Sequence, residues 1–170
     1  SSATEGTRSV SIPAPYAPPA DDRDVVGPDD TVMLIVEDDP QFAEILLGMA
    51  HEAGFKGIIA NEGGTVISMA KKFRPKAISL DIGLPDMDGY ALLDLLKRNP
   101  ETRHIPVHII SGDEQTRLSR SIGAFGHSEK PVVRDDILKT LGEVKEFGQR
   151  QKRLLAIGPS PSKDFLGKLI

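Results

Sequence analysis

Short apolar runs alternate with helix-like stretches over most of the chain. Phe42, Ile45, Leu46 and Met49 show the three- and four-residue spacing of an amphipathic helix, and similar stripes recur further along. The apolar runs between these stripes are short and continuous, which is typical of strands buried on both faces. They read "TVMLIV", "KGIIA", "KAISLD", "IPVHIIS" and "AFGHSE". The pattern predicts five strands alternating with five helices between about residues 31 and 147.

Such alternation predicts an α/β fold, with a parallel sheet covered by helices on both faces and joined by right-handed crossovers. The fourth predicted helix, "EQTRLSRSI", has only Leu118 and Ile122 as apolar anchors, so we expect it to be the weakest of the set. In such sheets ligands bind beyond the carboxyl ends of the strands, at the point where the strand order reverses. Residues that follow the predicted strands are therefore the candidates for function.

Composition narrows the classes of function. The chain has 170 residues and no cysteine, which excludes disulfides, thiolate metal sites and cysteine nucleophiles. No apolar run approaches the roughly 18 residues that cross a bilayer, and no signal peptide opens the sequence. A net charge of −4 gives no support for nucleic-acid binding. We expect a cytoplasmic protein with no membrane segment and no nucleic-acid partner in this chain.

Acidic residues follow the first and third predicted strands. On its own, the run Glu37–Asp39 would be typical of a solvated turn or a helix N-terminus. Asp81, however, ends "KAISLD", and neighbouring first and third strands would bring it to Glu37 and Asp38. Carboxylates that crowd together are electrostatically costly without a cation. A set of oxygen ligands with no His or Cys beside it in sequence favours a hard cation such as Mg²⁺.

Two further strand ends carry groups that phosphoryl transfer needs. Ser111 ends the fourth strand with a hydroxyl, and Lys130 follows the fifth with an ammonium. Hydrogen-bond donors and a cation stabilise the charge that develops on a transferring phosphoryl group. A carboxylate can be the acceptor, forming an acyl phosphate. Asp81 is the expected nucleophile because it lies deepest in the middle of the predicted sheet.

The stretches "LIVEDDP", "LDIGLPDMDGY", "HIIS" and "EKP", in this order, resemble the receiver domain of two-component response regulators over residues 31–147. The resemblance implies a flavodoxin-like (βα)5 fold with strand order 2-1-3-4-5. It also implies Asp81 as the phosphoacceptor. Mg²⁺ would be bound by Glu37, Asp38, Asp81 and the backbone carbonyl of Gly83. The remaining implied roles are Ser111 as switch hydroxyl, Lys130 as the lysine before a commonly cis Pro131, and Pro85 and Gly89 as residues that shape the loop after Asp81.

One position departs from the family pattern. A Tyr or Phe usually lies three residues before the lysine, and here that position is His127. Phe125 shares a strand face with His127 but is not in register with it. His127 is therefore a candidate switch residue whose role the sequence leaves open. His51, His104 and His108 lie in no motif and are expected to be surface or packing residues, and Asp88 is expected to cap the third helix.

The resemblance implies a partner that presents a phosphohistidine, either a histidine kinase or a histidine phosphotransfer domain, in cis or in trans. The domain would catalyse its own phosphotransfer and dephosphorylation and switch the surface of its fourth helix, fifth strand and fifth helix. That surface or the C-terminal extension could form a homodimer. Two alternatives remain: a docking module that is not phosphorylated, and a phosphoaspartyl hydrolase. Gly83 argues against the hydrolase, which normally carries an aspartate at that position.

The two ends of the chain lie outside the resemblance. Residues 1–30 are rich in proline and charge, so we expect a disordered linker there. Residues 148–170 can be aligned with the first strand and helix, with 154–157 as the strand and Pro161 on Pro40. They are expected to be a linker and an incomplete β–α unit of a second receiver without the acids, and the alternative is an interdomain helix and tail. The finer motif pattern resembles receivers within hybrid sensor histidine kinases.

Overall fold

The computed structural model describes residues 20–112 and 121–157. The described elements alternate as the sequence predicts. They are β1 (Val32–Val36), α1 (Pro40–Glu52), β2 (Lys56–Ala60), a 3₁₀ helix (Gly63–Thr65), α2 (Val66–Phe73), β3 (Ala77–Asp81), α3 (Gly89–Arg98), β4 (Val107–Ser111), β5 (Gly126–Glu129) and the C-terminal helix (Arg134–Ile157). Most of the fourth predicted helix, residues 114–120, lies outside the described residues. None of the helices in the described ranges is long and apolar enough to span a membrane.

The five strands form one parallel sheet in the order β2-β1-β3-β4-β5, which confirms the predicted flavodoxin-like topology. The strand order reverses between β1 and β3, because the chain adds β2 on one side of β1 and β3 on the other. There Val36, the last residue of β1, pairs in register with Leu80, so the two strands end within one residue of the same level of the sheet. The next residues, Glu37 and Asp81, are consequently neighbours at the carboxyl edge. The topology itself therefore places the acids of the two strands together.

Both faces of the sheet are packed, as the continuous apolar strands predict. Alternate strand residues such as Leu34 and Ile78 face α2 and α3, where Leu92 is also fully buried. The intervening residues, such as Ile35, pack against α1 and the C-terminal helix, which contributes Leu141. Burial of one large apolar side chain contributes about 1.5–3 kcal/mol. Two such clusters hold the carboxyl edge of the sheet as a rigid platform.

Aspartate side chains cap the N-termini of the two helices nearest that edge. Asp39 caps α1 by accepting a hydrogen bond from the Gln41 amide at 3.0 Å. Asp88 caps α3 by accepting one from the Tyr90 amide at 2.9 Å, which confirms the sequence prediction for this residue. A cap of this kind satisfies an amide that the helix itself leaves unpaired. Both caps fix the direction in which the chain leaves the carboxyl edge.

The segment before β1 differs from the predicted linker. Residues 1–19 lie outside the described residues, but residues 20–30 form turns that bind the free edge of β2. The Asp22 amide donates to the Gly57 carbonyl at 3.0 Å, and the Gly57 amide donates to the Asp22 carboxylate at 2.7 Å. The Ile59 amide donates to the Asp21 carboxylate at 2.8 Å. Acidic side chains thus take the place of strand carbonyls, which a composition-based prediction of disorder does not anticipate. We name residues 21–24 the edge clip.

The C-terminal helix also differs from the sequence prediction. Residues 154–157, which the alignment with β1 makes a strand, lie in the last turns of this helix. Leu154 and Leu155 are 71% and 84% exposed, so none of the five described strands buries them. A strand needs such a neighbour, whereas a helix satisfies its own backbone. Residues 158–170, which carry the rest of the predicted second unit, lie outside the described residues.

Candidate functional site

Three carboxylates meet where β1 and β3 end. Oxygen atoms of Glu37, Asp38 and Asp81 lie within 4.8 Å of one another. Glu37 is 1% exposed and Asp81 is 6% exposed, so neither charge is well solvated. Buried like charges at this separation repel strongly unless a cation or a proton neutralises them. The cluster is therefore suited to bind a cation.

Lys130 supplies the one ammonium group at this cluster among the described residues. Its Nζ lies 3.2 Å from Asp81 Oδ2 and 3.6 Å from Glu37 Oε2. The Lys130–Pro131 peptide bond is cis. Burial acts to lower the pKa of Lys130, but the charge of Glu37 and the hydrogen bond and charge of Asp81 outweigh it, so the pKa is raised overall. The ammonium is consequently held charged beside the predicted acceptor.

The surroundings of Glu37 in the cluster raise the pKa of its carboxyl group. Burial, together with the nearby charges of Asp81 and Asp38, raises its pKa to about 7, although the Asp39 amide and Lys130 act in the opposite direction. Its Oε1 accepts the Asp39 amide at 3.1 Å, while its buried Oε2 has no hydrogen-bond partner among the described residues. An oxygen that is buried, close to other carboxylates and without a hydrogen bond fits the position of a metal ligand. The donor set is all oxygen, which suits Mg²⁺.

Ser111 and Gly83 complete the same cleft. Ser111 ends β4 and is 2% exposed, and its carbonyl accepts the Lys130 amide at 2.9 Å. The Gly83 amide donates to Asp81 Oδ1 at 3.1 Å, which holds the carboxylate against the loop that follows it. The cleft has a volume of about 440 Å³. Its lining residues are Glu37, Asp38, Asp39, Asp81, Ile82, Gly83, Ser111, Gly112 and Lys130. The structure thus brings together every residue that the sequence proposed for metal binding and phosphoryl transfer.

The loop after Asp81 has a fixed shape. A Cβ atom on Gly89 would lie 2.5 Å from Ile82 Cα, so only glycine fits where α3 begins. Asp86, which the sequence did not single out, accepts hydrogen bonds from the Gly63 and Gly64 amides, both at 2.9 Å. These amides lower the pKa of Asp86. The bonds tie the loop to the 3₁₀ helix, and the partners lie too far apart in sequence for spacing to reveal them. Pro85 is exposed on this loop.

His127 lies on β5 outside the cleft. It is half-buried, pairs in register with Ile109, and lines a separate groove with Phe125 between β5 and the C-terminal helix. His108 lies on β4 with Nε2 2.8 Å from the Ser128 hydroxyl oxygen. Burial, and secondarily the charge of His127, lowers the pKa of His108 to about 4. His108 is thus a neutral packing residue, while the switch role of His127 stays a prediction.

Phe42 is a neighbour of the site that the sequence assigned only to the core. The Lys130 Nζ lies 5.1 Å from the centroid of its ring. Helical spacing explains why Phe42 packs against the cluster beneath α1, but spacing carries no sign of an ammonium on its other side.

Comparisons with known proteins agree on one family. The family model for the response regulator receiver domain matches residues 33–142. Protein PilH of Pseudomonas aeruginosa is 30% identical over 115 residues, which cover 66% of this chain and 95% of PilH. The signal receiver domain of a DNA-binding response regulator from Colwellia psychrerythraea has a TM-score of 0.65 at 26% identity, covering 69% of this chain and 99% of that chain. The receiver domain of a signal transduction histidine kinase from Syntrophus aciditrophicus has a TM-score of 0.62 at 28% identity, covering 78% and 96%.

Proposed function

The chain belongs to the response regulator receiver domain family, and from this premise we propose that Asp81 accepts a phosphoryl group from a phosphohistidine. Receiver domains interact with histidine kinases or phosphotransfer proteins, so such a protein is the expected donor. The observation that carries the proposal is the buried Asp81 carboxylate, with the Lys130 ammonium 3.2 Å away and two more carboxylates beside it.

Mg²⁺ is the proposed cofactor. Carboxylates of Glu37, Asp38 and Asp81 would hold it, together with the backbone carbonyl of Gly83. The buried Glu37 Oε2, which accepts no hydrogen bond from the described residues, and the all-oxygen donor set support this assignment. When bound, the ion neutralises negative charge among the carboxylates and the phosphoryl oxygens.

Each protein group has a separate task in the proposed transfer. An Asp81 carboxylate oxygen forms the new P–O bond as the P–N bond to the donor imidazole breaks. Lys130 balances the charge of the Asp81 carboxylate before transfer and of the phosphoryl group after it. The Ser111 hydroxyl donates to a phosphoryl oxygen, and its place at the end of β4 links the site to the surface of β5 and the C-terminal helix. Phosphorylation would then shift that surface, including His127, between two populations.

The proposal is tested by phosphorylation with acetyl phosphate and Mg²⁺, followed by intact-protein mass measurement. We expect the wild-type chain to gain one phosphoryl group and the Asp81→Asn variant to gain none. Asp94→Asn is a matched control, because Asp94 lies half-exposed on α3 and its side chain pairs with Arg98 away from the cleft. Normal labelling of the Asp81 variant would refute the assignment.

His127, at a position where the family usually has an aromatic residue, favours a second candidate function. In that case the domain serves as a docking module within a multidomain kinase and is not phosphorylated. Calorimetric titration with Mg²⁺ separates the two functions, because a docking module has no need of the ion. Saturable binding that is lost in Asp38→Asn supports the phosphoacceptor, and absence of binding in the millimolar range supports the docking module.

The domain context is a further part of the proposal. A receiver over residues 31–147 within a hybrid histidine kinase is consistent with the similarity to the Syntrophus aciditrophicus kinase receiver. The full reading frame tests this context by showing whether a kinase core and another receiver flank the chain. Homodimerisation through β5 and the C-terminal helix is tested by sedimentation with and without beryllofluoride.

A further inference from the structure

We propose that Phe42 is a positioning residue for the proposed phosphoryl transfer, because its ring holds the Lys130 ammonium in place over Asp81. The inference rests on the proposed function for its kinetic consequence but not for the contact itself. Lys130 is the only cation of the cluster in the described part of the chain, so its position determines how well the charges of the neighbouring carboxylates are neutralised. Its side chain is 36% exposed, which leaves it room to swing into solvent unless something restrains it.

The backbone fixes where the Phe42 ring lies. Asp39 Oδ1 accepts the Phe42 amide at 3.4 Å and the Gln41 amide at 3.0 Å, so the first turn of α1 starts at a defined point. The Asp39 amide in turn donates to Glu37 Oε1 at 3.1 Å. The acidic run is thus connected by hydrogen bonds to the helix turn that carries Phe42. The ring packs against the apolar cluster under α1, and this packing limits the freedom of its side chain.

Lys130 has a different neighbour on each side. Its Nζ lies 3.2 Å from Asp81 Oδ2, 3.6 Å from Glu37 Oε2 and 5.1 Å from the centre of the Phe42 ring. A ring face attracts an ammonium at this distance but offers it no lone pair for a strong hydrogen bond. The ring therefore restrains the ammonium without competing with a carboxylate or a phosphoryl oxygen for its N–H groups. A carboxylate at position 42 could not do this, because it would bind the ammonium away from Asp81.

The contact itself can be measured without any phosphorylation. The Lys130 Nζ lies 5.1 Å from the ring centroid, so we expect the NMR resonance of the protons on the adjacent Cε to be displaced upfield by the ring current. We expect this displacement to disappear in Phe42→Leu and to persist in Phe42→Tyr, which keeps the ring. A Lys130 resonance at the ordinary lysine position in the wild-type chain would overturn the inference, whatever the phosphorylation assay shows.

The effect on the phosphorylation rate is best tested with a series of variants that changes the electrostatic attraction of the ring face while the ring shape stays nearly the same. Replacement of Phe42 by phenylalanines with one, two and three ring fluorines weakens the attraction for a cation in steps. We expect the rate of phosphorylation by acetyl phosphate to fall stepwise along the series, by roughly two- to fivefold in total, as loss of a partly exposed cation–ring contact predicts. Mg²⁺ affinity should not weaken, because Phe42 contacts the lysine and not the acids. A purely structural role would leave the fluorinated series flat.

Two controls separate this effect from general damage. Phe73 also has a lysine ammonium, that of Lys72, 5.1 Å from its ring centre, but it lies on α2 and outside the cleft. Phe73→Leu should leave the phosphorylation rate unchanged. In a Lys130→Met background, Phe42→Leu should cause no further loss of rate, because the group it positions is gone. An equal loss with and without Lys130 would overturn the inference, whereas a wild-type chain that takes no phosphate refutes the proposed function instead.

Discussion

The edge clip should stabilise the fold through the Asp21 carboxylate. That side chain is 1% exposed and accepts hydrogen bonds from the Ile59 amide at 2.8 Å and from Arg23 Nη2 at 2.7 Å. Arg23 completes the contact by donating to the Ile59 carbonyl at 3.0 Å. Because β2 is an edge strand, these groups would otherwise be an open row of donors and acceptors. The perturbation is Asp21→Ala, which removes the carboxylate and leaves the backbone turn in place.

The expected magnitude follows from these contacts. A hydrogen bond between an amide and a charged group contributes about 1.5–3 kcal/mol, and the partly exposed Arg23 pair adds about 0–1 kcal/mol. We expect Asp21→Ala to lower the free energy of unfolding by about 1.5–4 kcal/mol at pH 7. Burial acts to raise the pKa of Asp21, but its bonds to Arg23 and Ile59 outweigh it and lower the pKa overall. The contribution is therefore present above the unfolded-state pKa of 3.8 and is lost as the pH falls through the lower folded-state value.

Urea unfolding and amide hydrogen exchange together test this reasoning. The Ile59 amide should exchange faster in Asp21→Ala, while the amides of β3, in the interior of the sheet, keep their protection. Asp24→Ala is the matched control, because Asp24 lies in the same turn but is exposed and makes no hydrogen bond to β2. An unchanged free energy of unfolding together with an unchanged exchange rate at Ile59 would refute the stabilising role of the clip.

Four further predictions concern the site and the sheet. Because the pKa of Glu37 is raised to about 7, its contribution to stability is fully present below pH 4.5 and is lost as the pH rises through about 7. Urea unfolding without Mg²⁺ should show this pH dependence, and Glu37→Gln should remove it. By the same linkage, calorimetry should show Mg²⁺ affinity falling about tenfold per pH unit below 7. Asp86→Ala should speed hydrogen exchange at the two glycine amides of the 3₁₀ helix, whereas unchanged rates would contradict the tie. Gly126→Ala should cost about 1–3 kcal/mol in urea unfolding, because the new Cβ would lie 2.5 Å from His108 Nδ1; a stability equal to wild type would contradict the close packing.

The sheet and the cleft were predictable because they depend on short-range patterns. Continuous apolar runs identify strands, and parallel topology then forces their following residues, such as Glu37 and Asp81, to one edge. The edge clip was not predictable in this way. Its sequence has the composition of a disordered linker, and its order comes from bonds to β2 that lie 35 or more residues away in the chain. Composition describes how much apolar surface a segment can bury, but it does not count carboxylates that replace strand carbonyls.

The strand prediction for the last turns of the C-terminal helix was wrong for a related reason. "LLAI" is an apolar run that fits a strand as well as it fits a helix, and periodicity cannot separate the two over so few residues. The residues before it, including Gln149 and Arg150, favour helix and continue one already anchored on the sheet by Leu141 and Val144. Extension of an existing helix needs no new nucleus, whereas a lone strand needs a partner. The alternative of an interdomain helix therefore describes residues 148–157 better than the strand does.

The charge balance of the cleft explains why the protein would retain a group of carboxylates that lowers the stability of its fold. Glu37, Asp38 and Asp81 together carry more negative charge than the single ammonium of Lys130 can neutralise. Part of the excess is relieved by a proton on Glu37, whose pKa is raised to about 7, so proton and cation compete for one place. Glu37→Gln should consequently stabilise the metal-free fold at pH 8 and weaken Mg²⁺ binding in the same variant. A more stable fold together with weaker binding is expected only if the repulsion that destabilises the metal-free cleft is also what attracts the cation. A less stable fold with unchanged Mg²⁺ binding would show that Glu37 serves the fold alone.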